Sequence, residues 1–98
     1  MERIVVAMIV IAAYDVTHND RRARLAAVLQ AYGDRIQKSV FILQIDDDEL
    51  ASIVCKAEEI LDLDSDSVWF ARQCANCWKE LIALGQTAKP DKLLYWVV

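Results

Sequence analysis

The sequence predicts an α+β sandwich in which two amphipathic helices pack on one face of a β-sheet. Three observations favour this class. Apolar, β-branched runs alternate with helical patterns in the order β-α-β-α-β, followed by a short helix and a last strand. Each of the two longer helices has a single apolar stripe, which suits one side of a sheet. The chain has 98 residues, which is enough for one domain. The arrangement is of the ferredoxin-like kind.

The first strand is predicted over Met8–Tyr14, which is apolar on both faces, as in a central strand. Residues 1–7 are interpreted as an N-terminal extension of the single domain that covers residues 1–98. The apolar run Ile4–Tyr14 has 11 residues, which is too short to cross a bilayer. We therefore expect a cytoplasmic protein with no membrane partner. Arg21–Tyr32 then repeats its apolar residues at helical spacing, and Gly33 is a natural helix stop.

The stretch Arg35–Ile45 is predicted to form one long strand that bends near Ser39, because no Gly, Pro, Asn or Asp interrupts it. The right-handed crossover rule makes Val40–Ile45 a parallel neighbour of the first strand. Acidic residues 46–49 predict a helix start with a capping box. The remaining elements are predicted as a helix over Leu50–Leu61, a strand over Ser67–Arg72, a short helix over Ala75–Leu84 and a terminal strand over Lys92–Val98.

The apolar content predicts self-association. Hydrophobic residues make up 56% of the chain, which is hard to bury in so small a monomer. We expect the helix-free face of the sheet to pack against a second copy, and residues 91–98 to add as a strand to the partner's sheet edge. Tyr95, Trp96 and Val97 are the predicted interface residues of that strand. Trp69 and Trp78 are interpreted as core or interface anchors.

The charge pattern limits the classes of partner. The net charge is −4, which argues against coating nucleic acid by bulk charge, and the apolar content excludes a disordered chain. The first 40 residues hold six basic and four acidic residues, whereas the other 58 hold five basic and eleven acidic ones. A polyanion is therefore expected to meet the first half of the chain.

Asp15 is the candidate metal ligand and catalytic residue, since it ends an apolar strand where a loop begins. One carboxylate holds Mg²⁺ poorly, but a two-fold dimer brings a second copy of Asp15 if the axis passes nearby. The alternative is a turn and capping residue at a strand-to-helix junction. His18 is a candidate general base on the same loop, with an exposed loop histidine as the alternative.

Basic residues gather at the start of the first helix. Arg21, Arg22 and Arg24 lie there, and Arg35 and Lys38 follow on a nearby strand. A helix start supplies free N–H groups and a favourable dipole for phosphate. The alternative is a solvated helix face.

Three cysteines remain, and an odd number favours a reducing compartment. Cys74 and Cys77 form a C-x-x-C motif at the predicted start of a helix after a strand. They are interpreted as two partly buried thiols, with a stress-formed disulfide and a metal site as alternatives. The position also allows a thioredoxin-type redox role. Cys55 does not lie at a spacing from another cysteine that suggests a pair.

Four segments in order and spacing give the chain a family resemblance. They are Ala13–Val16, Asp20–Arg24, Tyr32–Phe41 and Asp66–Val68. The chain resembles the small CRISPR-associated adaptation proteins of the Cas2 family. The resemblance covers Met8 to about Gly85 and also fits the terminal strand.

The resemblance implies a ferredoxin-like homodimer that bridges the CRISPR adaptation integrase and holds the protospacer DNA during spacer acquisition. It also implies a Mg²⁺-dependent endonuclease of single-stranded RNA or double-stranded DNA, with Asp15 as the metal ligand. The nucleic-acid contacts would fall on Arg21, Arg22, Arg35, Gln37, Lys38 and Ser39. The alternative function is a non-catalytic nucleic-acid-binding dimer, or a toxin-like ribonuclease, outside CRISPR.

Overall fold

Seven elements follow one another in the computed structural model, which describes residues 7–82 and 84–85. They are β1 (Met8–Asp15), α1 (Asn19–Gln30), β2 (Gly33–Gln37), β3 (Val40–Ile45), α2 (Asp47–Ile60), β4 (Ser67–Gln73) and α3 (Ala75–Lys79). Most of the predicted N-terminal extension lies outside the described residues, and so does the predicted terminal strand with Tyr95, Trp96 and Val97.

Across the described residues, the strands form one antiparallel sheet in the order β2-β3-β1-β4. β1 is central, as predicted, since it pairs with β3 over Met8–Ala13 and with β4 over Ile9–Asp15. Together with α1 and α2, this order is ferredoxin-like, so the predicted fold class is confirmed. No helix in the described part of the chain is both long and apolar enough to cross a membrane.

The predicted single strand Arg35–Ile45 is wrong, because this stretch is a hairpin of β2 and β3. Lys38 and Ser39 form the turn, and a β-bulge shifts the register between Arg35 and Gln37. Common two-residue hairpin turns need residues with positive φ, usually Gly or Asn. No described non-glycine residue has a positive φ, so this turn carries none of the usual sequence signals.

The predicted parallel pairing of the first strand with Val40–Ile45 is also wrong. β1 and β3 are antiparallel, with Val10 opposite Leu43. The hairpin explains the error, since it inserts one reversal of direction between α1 and β3. β1 runs parallel to β2, because both are antiparallel to β3. The crossover rule therefore applies to the connection from β1 through α1 to β2, and β3 lies between these two parallel strands.

The helix boundaries follow local capping more closely than the apolar stripes. α1 begins at Asn19, two residues before the predicted start, and His18 is its N-cap. Gly33, predicted as a helix stop, is the first residue of β2. The predicted capping box of α2 is confirmed, because Asp46 and Glu49 each accept the other's backbone N–H. α3 ends at Lys79 and is shorter than predicted.

The two faces of the sheet are covered differently. The main core lies under α1 and α2 and contains Val10, Ala12 and Tyr14 from β1. On the opposite face, Trp78 of α3 packs on Ile9 and on Ile42 from β3, and its side chain is 1% exposed. The expectation that a second copy alone covers this face therefore needs correction. Elsewhere on this face, Trp69 of β4 is 59% exposed.

Candidate functional site

Asp15 is the last residue of the central strand β1, and its side chain is exposed. Side chains alternate along β1, and Val10, Ala12 and Tyr14 belong to the core under the helices. Asp15 therefore lies on the side of the sheet opposite α1 and α2, and its paired residue on β4 is Ser67. An exposed carboxylate at a strand end is available to a ligand.

Tyr14 fixes the β2–β3 turn beside Asp15. Its backbone N–H donates to the carbonyl of Ser39 at 3.1 Å, and its hydroxyl donates to the carbonyl of Lys38 at 3.3 Å. Its ring, which is 4% exposed, stacks on Phe41 with a centroid distance of 6.3 Å. A buried tyrosine thus holds the turn residues against the end of β1.

Two shallow pockets open around Tyr14. The basic pocket has a volume of about 240 Å³ and is lined by Tyr14, Asn19, Arg22, Ala23, Ala26, Arg35 and Lys38. The Asp15 pocket has a volume of about 160 Å³ and is lined by Tyr14, Asp15, Val16, Arg22, Lys38 and Ser39. Arg22 and Lys38 line both, so one carboxylate and two cations share a continuous surface.

Two arginines of the basic pocket are held by other groups. Arg22 donates to the carbonyl of Val16 at 3.3 Å and to the side-chain oxygen of Asn19. The guanidinium of Arg35 lies 5.1 Å from the centre of the Phe41 ring, which is a cation–π arrangement. These contacts orient the two cations towards the pocket rather than leaving them as free surface charges.

Arg21 has a different partner. Its Nε donates to Asp66 at 2.7 Å, and Asp66 also accepts the backbone N–H of Asp62 at 3.0 Å. The Asp66 side chain is fully buried, and its ion pair with Arg21 connects α1 to the turn between α2 and β4. The hydrogen bond from Arg21 lowers the pKa of Asp66, and the same bond raises the pKa of Arg21.

Neutralising Asp66 is expected to reduce stability in a pH-dependent way. At pH 7, Asp66→Asn should lower the melting temperature by several degrees, since Arg21 loses its anionic partner. Because folding lowers the pKa of Asp66, its contribution is complete above the pKa of an unfolded aspartate. It is lost as the pH falls through the lowered value, and the two proteins should then converge.

Thermal melts between pH 7 and pH 2 measure this difference. Asp64→Asn is the matched control, because Asp64 is exposed in the same turn and the change in charge is identical. A pH-independent difference, or an equal effect of both variants, would contradict the role given to the Arg21–Asp66 pair.

The structure brings together some of the predicted site residues and not others. Asp15, Arg22, Arg35, Lys38 and Ser39 line the two pockets, whereas Arg21 and Gln37 line neither. Gln37 is exposed at the end of β2. The exposed side chains of His18 and Arg24 lie on α1 or its cap, outside both pockets, and His18 Nδ1 accepts the backbone N–H of Arg21 at 3.5 Å.

Sequence reasoning missed the role of Tyr14, which looked like one more apolar residue of the strand. Its position before Asp15 is the only signal in the sequence, and the partner carbonyls become visible once the hairpin is known. Cys55, Cys74 and Cys77 are all exposed, so the interpretation of the pair Cys74 and Cys77 as partly buried thiols is wrong.

A single chain does not complete a metal site in the part that the structure describes. No group of three or more His, Cys, Asp or Glu side chains lies there in a metal-binding arrangement. Asp15 nevertheless offers hard oxygen donors on an exposed surface, which suits Mg²⁺. The carboxylate of Asp15 therefore suits Mg²⁺ as one ligand, and the described residues do not complete the site.

A ferredoxin-like sheet that ends in an exposed carboxylate beside a cation-lined pocket defines a small α+β protein with a surface suited to phosphate groups. The chain belongs to the family of CRISPR associated protein Cas2, whose family model matches residues 8–81. The family resemblance found in the sequence is thereby confirmed.

Similar proteins carry nuclease names. CRISPR-associated endonuclease Cas2 2 of Thermus thermophilus is 39% identical over 56 residues, which are 57% of this chain and 62% of that relative. The matched segment is thus less than two thirds of that protein. CRISPR-associated endoribonuclease Cas2 4 of Rhodospirillum rubrum is 26% identical over 90% of this chain and 71% of its own length.

A solved structure supports the fold over a longer stretch. The crystal structure of Streptococcus pyogenes Cas2 at pH 6.5 superposes with a TM-score of 0.73 and is 29% identical. The match covers 80% of this chain and all of that one. The described sheet and helices are therefore similar to those of a Cas2 protein solved by experiment.

Proposed function

We propose that this chain acts in CRISPR adaptation, as a homodimer that bridges the integrase and holds the protospacer DNA. We further propose that it hydrolyses phosphodiester bonds of RNA or DNA with Mg²⁺. The observation that carries both proposals is the shared surface at the end of β1, where Asp15 adjoins Arg22 and Lys38. The family membership and the nuclease names of the relatives support it.

The basic pocket supplies the contact with a nucleic-acid backbone. Phosphate contacts position a protein on nucleic acid without reading its sequence, which suits a protein that holds arbitrary DNA fragments. Arg35 and Lys38 come from the β2–β3 hairpin and Arg22 from α1, so the cations converge from two sides. The overall charge of −4 would limit binding elsewhere on the molecule.

The sheet face opposite α1 and α2 supports the proposed dimer. Trp69 and Ala71 of β4 are exposed there, beside Ala13 and Ile11 of β1. Trp78 forms a buried cluster with Ile9 and Ile42, against which Ile11 and Ile36 also pack, and Trp69 stays 59% exposed. A second copy packed on the open part would bury Trp69 and bring the two Asp15 strand ends towards the same axis.

Two copies of Asp15 would hold the Mg²⁺ in this dimer. When bound, the ion would polarise a phosphate oxygen and lower the pKa of a coordinated water. The chain's own residues have separate tasks. Arg22 and Lys38 hold the phosphate beside Asp15, and Tyr14 keeps the turn with Lys38 and Ser39 at the end of β1.

Replacing one cation should weaken nucleic-acid binding in a measurable way. Lys38 lines both pockets, and its ammonium forms no ion pair within the described residues. Lys38→Gln should reduce the affinity for a short DNA duplex by about tenfold at 0.1 M salt for each phosphate that the side chain no longer binds. The slope of log affinity against log salt should fall by about 0.9 for each such phosphate.

Fluorescence anisotropy with a labelled duplex at several salt concentrations measures both quantities. Lys56→Gln is the matched control, because Lys56 is an exposed lysine of α2 that lies over the Tyr32 ring, away from both pockets. Equal effects of the two variants would show that binding follows net charge and not the basic pocket. Spacer integration by the dimer with its integrase tests the role in adaptation, and Lys38→Gln should reduce it in parallel.

A further inference from the structure

Two thiols meet on the surface where β4 leads into α3. β4 ends at Gln73, and Cys74 is the next residue. The sulphur atoms of Cys74 and Cys77 lie 3.1 Å apart, and the backbone N–H of Cys77 donates to the Cys74 Sγ at 3.3 Å. Both side chains are exposed. A disulfide has an S–S length of about 2.0 Å, so only a small movement of the side chains would join them.

The contact between the sulphur atoms gives the two thiols unequal acidity. The contact with the Cys77 sulphur, with help from the Cys77 backbone N–H, lowers the pKa of Cys74. The same contact raises the pKa of Cys77, and so does the negative charge of Cys74. Of the two, Cys74 therefore has the lower pKa and is the better candidate for the attacking thiolate.

The alternatives for this pair fit the geometry poorly. A structural zinc site takes four Cys or His ligands, and the described residues contain no cluster of three or more His, Cys, Asp or Glu that suits a metal. The thiols do not fill a core position either, because both are exposed. The buried residue of this segment is Trp78, which packs on the sheet and keeps the short helix in place.

We propose that Cys74 and Cys77 form a dithiol–disulfide exchange site for small-molecule disulfides such as oxidised glutathione. Cys74 attacks and Cys77 resolves. The inference stands on the two sulphur positions and their exposure, and it is independent of the nuclease and DNA-binding proposals. The exchange takes place at the first residues of α3, the helix whose Trp78 packs on Ile9 and Ile42.

The exchange proceeds in two balanced steps. The Cys74 thiolate attacks one sulphur of the disulfide, a Cys74–glutathione bond forms, and one glutathione leaves as a thiolate that takes up a proton. Cys77 then loses its proton and attacks the Cys74 sulphur, which forms the Cys74–Cys77 bond and releases the second glutathione. The dithiol loses two electrons and two protons, and the glutathione disulfide gains both.

The test uses the full reduced chain with excess oxidised glutathione at pH 7, acid quenching at fixed times, alkylation of the remaining thiols and peptide mass spectrometry. The wild type should form an internal disulfide within the peptide that holds Cys74 and Cys77. Cys77→Ser should instead accumulate a lasting mixed disulfide at Cys74. That reaction should be about fivefold or more faster than mixed-disulfide formation at Cys77 in Cys74→Ser.

Cys55 is the internal control, since it is an exposed thiol on α2 that reacts under the same conditions in the same molecule. Its reaction should stop at the mixed disulfide. The proposal is overturned if the wild type keeps glutathione on Cys74 without forming the internal bond. It is also overturned if Cys74 in Cys77→Ser reacts no faster than Cys55. Cys74 and Cys77, the two residues that the variants replace, are both exposed. Circular dichroism of each variant confirms that the comparison is made on folded protein.

Discussion

Replacing Asp15 with asparagine is expected to reduce Mg²⁺-dependent cleavage of nucleic acid by about 100-fold or more. The substitution keeps the shape of the side chain and removes the negative charge that binds a hard cation. It should leave DNA binding without metal unchanged or slightly tighter, because Arg22 and Lys38 in the same pocket then have no neighbouring anion. A loss of cleavage with retained binding separates a metal ligand from a structural residue.

Asp20→Asn is the matched control for this prediction. Asp20 lies in the first turn of α1, is exposed, and lines neither of the two pockets. Both variants change the net charge by the same amount. Any difference in cleavage rate between them therefore reflects the position of the lost carboxylate. Full cleavage by Asp15→Asn would rule out the metal role. Absence of Mg²⁺-dependent cleavage by the wild type would remove the nuclease proposal and leave the DNA-holding role to be judged by binding and integration.

The number of Mg²⁺ ions tests the shared site independently of catalysis. The described part of one chain holds no group of three or more His, Cys, Asp or Glu that suits a metal. A site made from two Asp15 residues would take one ion for each pair of chains. Isothermal titration of the purified protein with Mg²⁺ should give this ratio. Asp15→Asn should abolish the binding, and one ion per chain would contradict the proposed sharing.

The sequence alone predicted the fold class and the position of Asp15, because both depend on strong local patterns. The unbroken apolar run before Asp15 identifies a central strand and its end. The capping box at Asp46 and Glu49 is equally local, and the structure contains both of its hydrogen bonds. Periodicity and capping chemistry are therefore sufficient where neighbouring residues determine the outcome.

The hairpin was beyond local reasoning, because its turn at Lys38 and Ser39 has no residue with positive φ. What stabilises the turn comes from β1, where Tyr14 donates to both carbonyls. Arg21 could not be told from Arg22 for a similar reason. Its partner Asp66 lies 45 positions away in the chain, and no local pattern indicates a pair at that distance.

Gly33 determines whether β2 can pair with β3, and it carries the second large prediction. A Cβ atom at Gly33 would lie 2.0 Å from the carbonyl oxygen of Ile42 and 2.8 Å from the Cα of Leu43. These are backbone atoms of β3, so no side-chain rotation relieves the clash. β2 would have to move away from β3 and lose hydrogen bonds of the ladder.

Gly33→Ala is therefore expected to lower the free energy of unfolding by about 3 kcal/mol or more, as overpacking against a rigid neighbour does. The melting temperature should fall by about 10–20 °C. Thermal and denaturant melts measure the change. Gly85→Ala is the matched control, because no atom of the described residues beyond its chain neighbours lies within 4 Å of its Cβ position. There only the positive φ of 80° is unfavourable, which costs about 1–2 kcal/mol.

The same substitution connects stability to the site, because the strand that Gly33 begins also carries Arg35 and leads to Lys38. If β2 separates from β3, these two cations leave the basic pocket, while Arg22 stays on α1. Gly33→Ala should then bind DNA more weakly than Lys38→Gln at temperatures where it is still folded. Equal losses of stability in Gly33→Ala and Gly85→Ala would contradict the close approach of the two strands on which this reasoning depends.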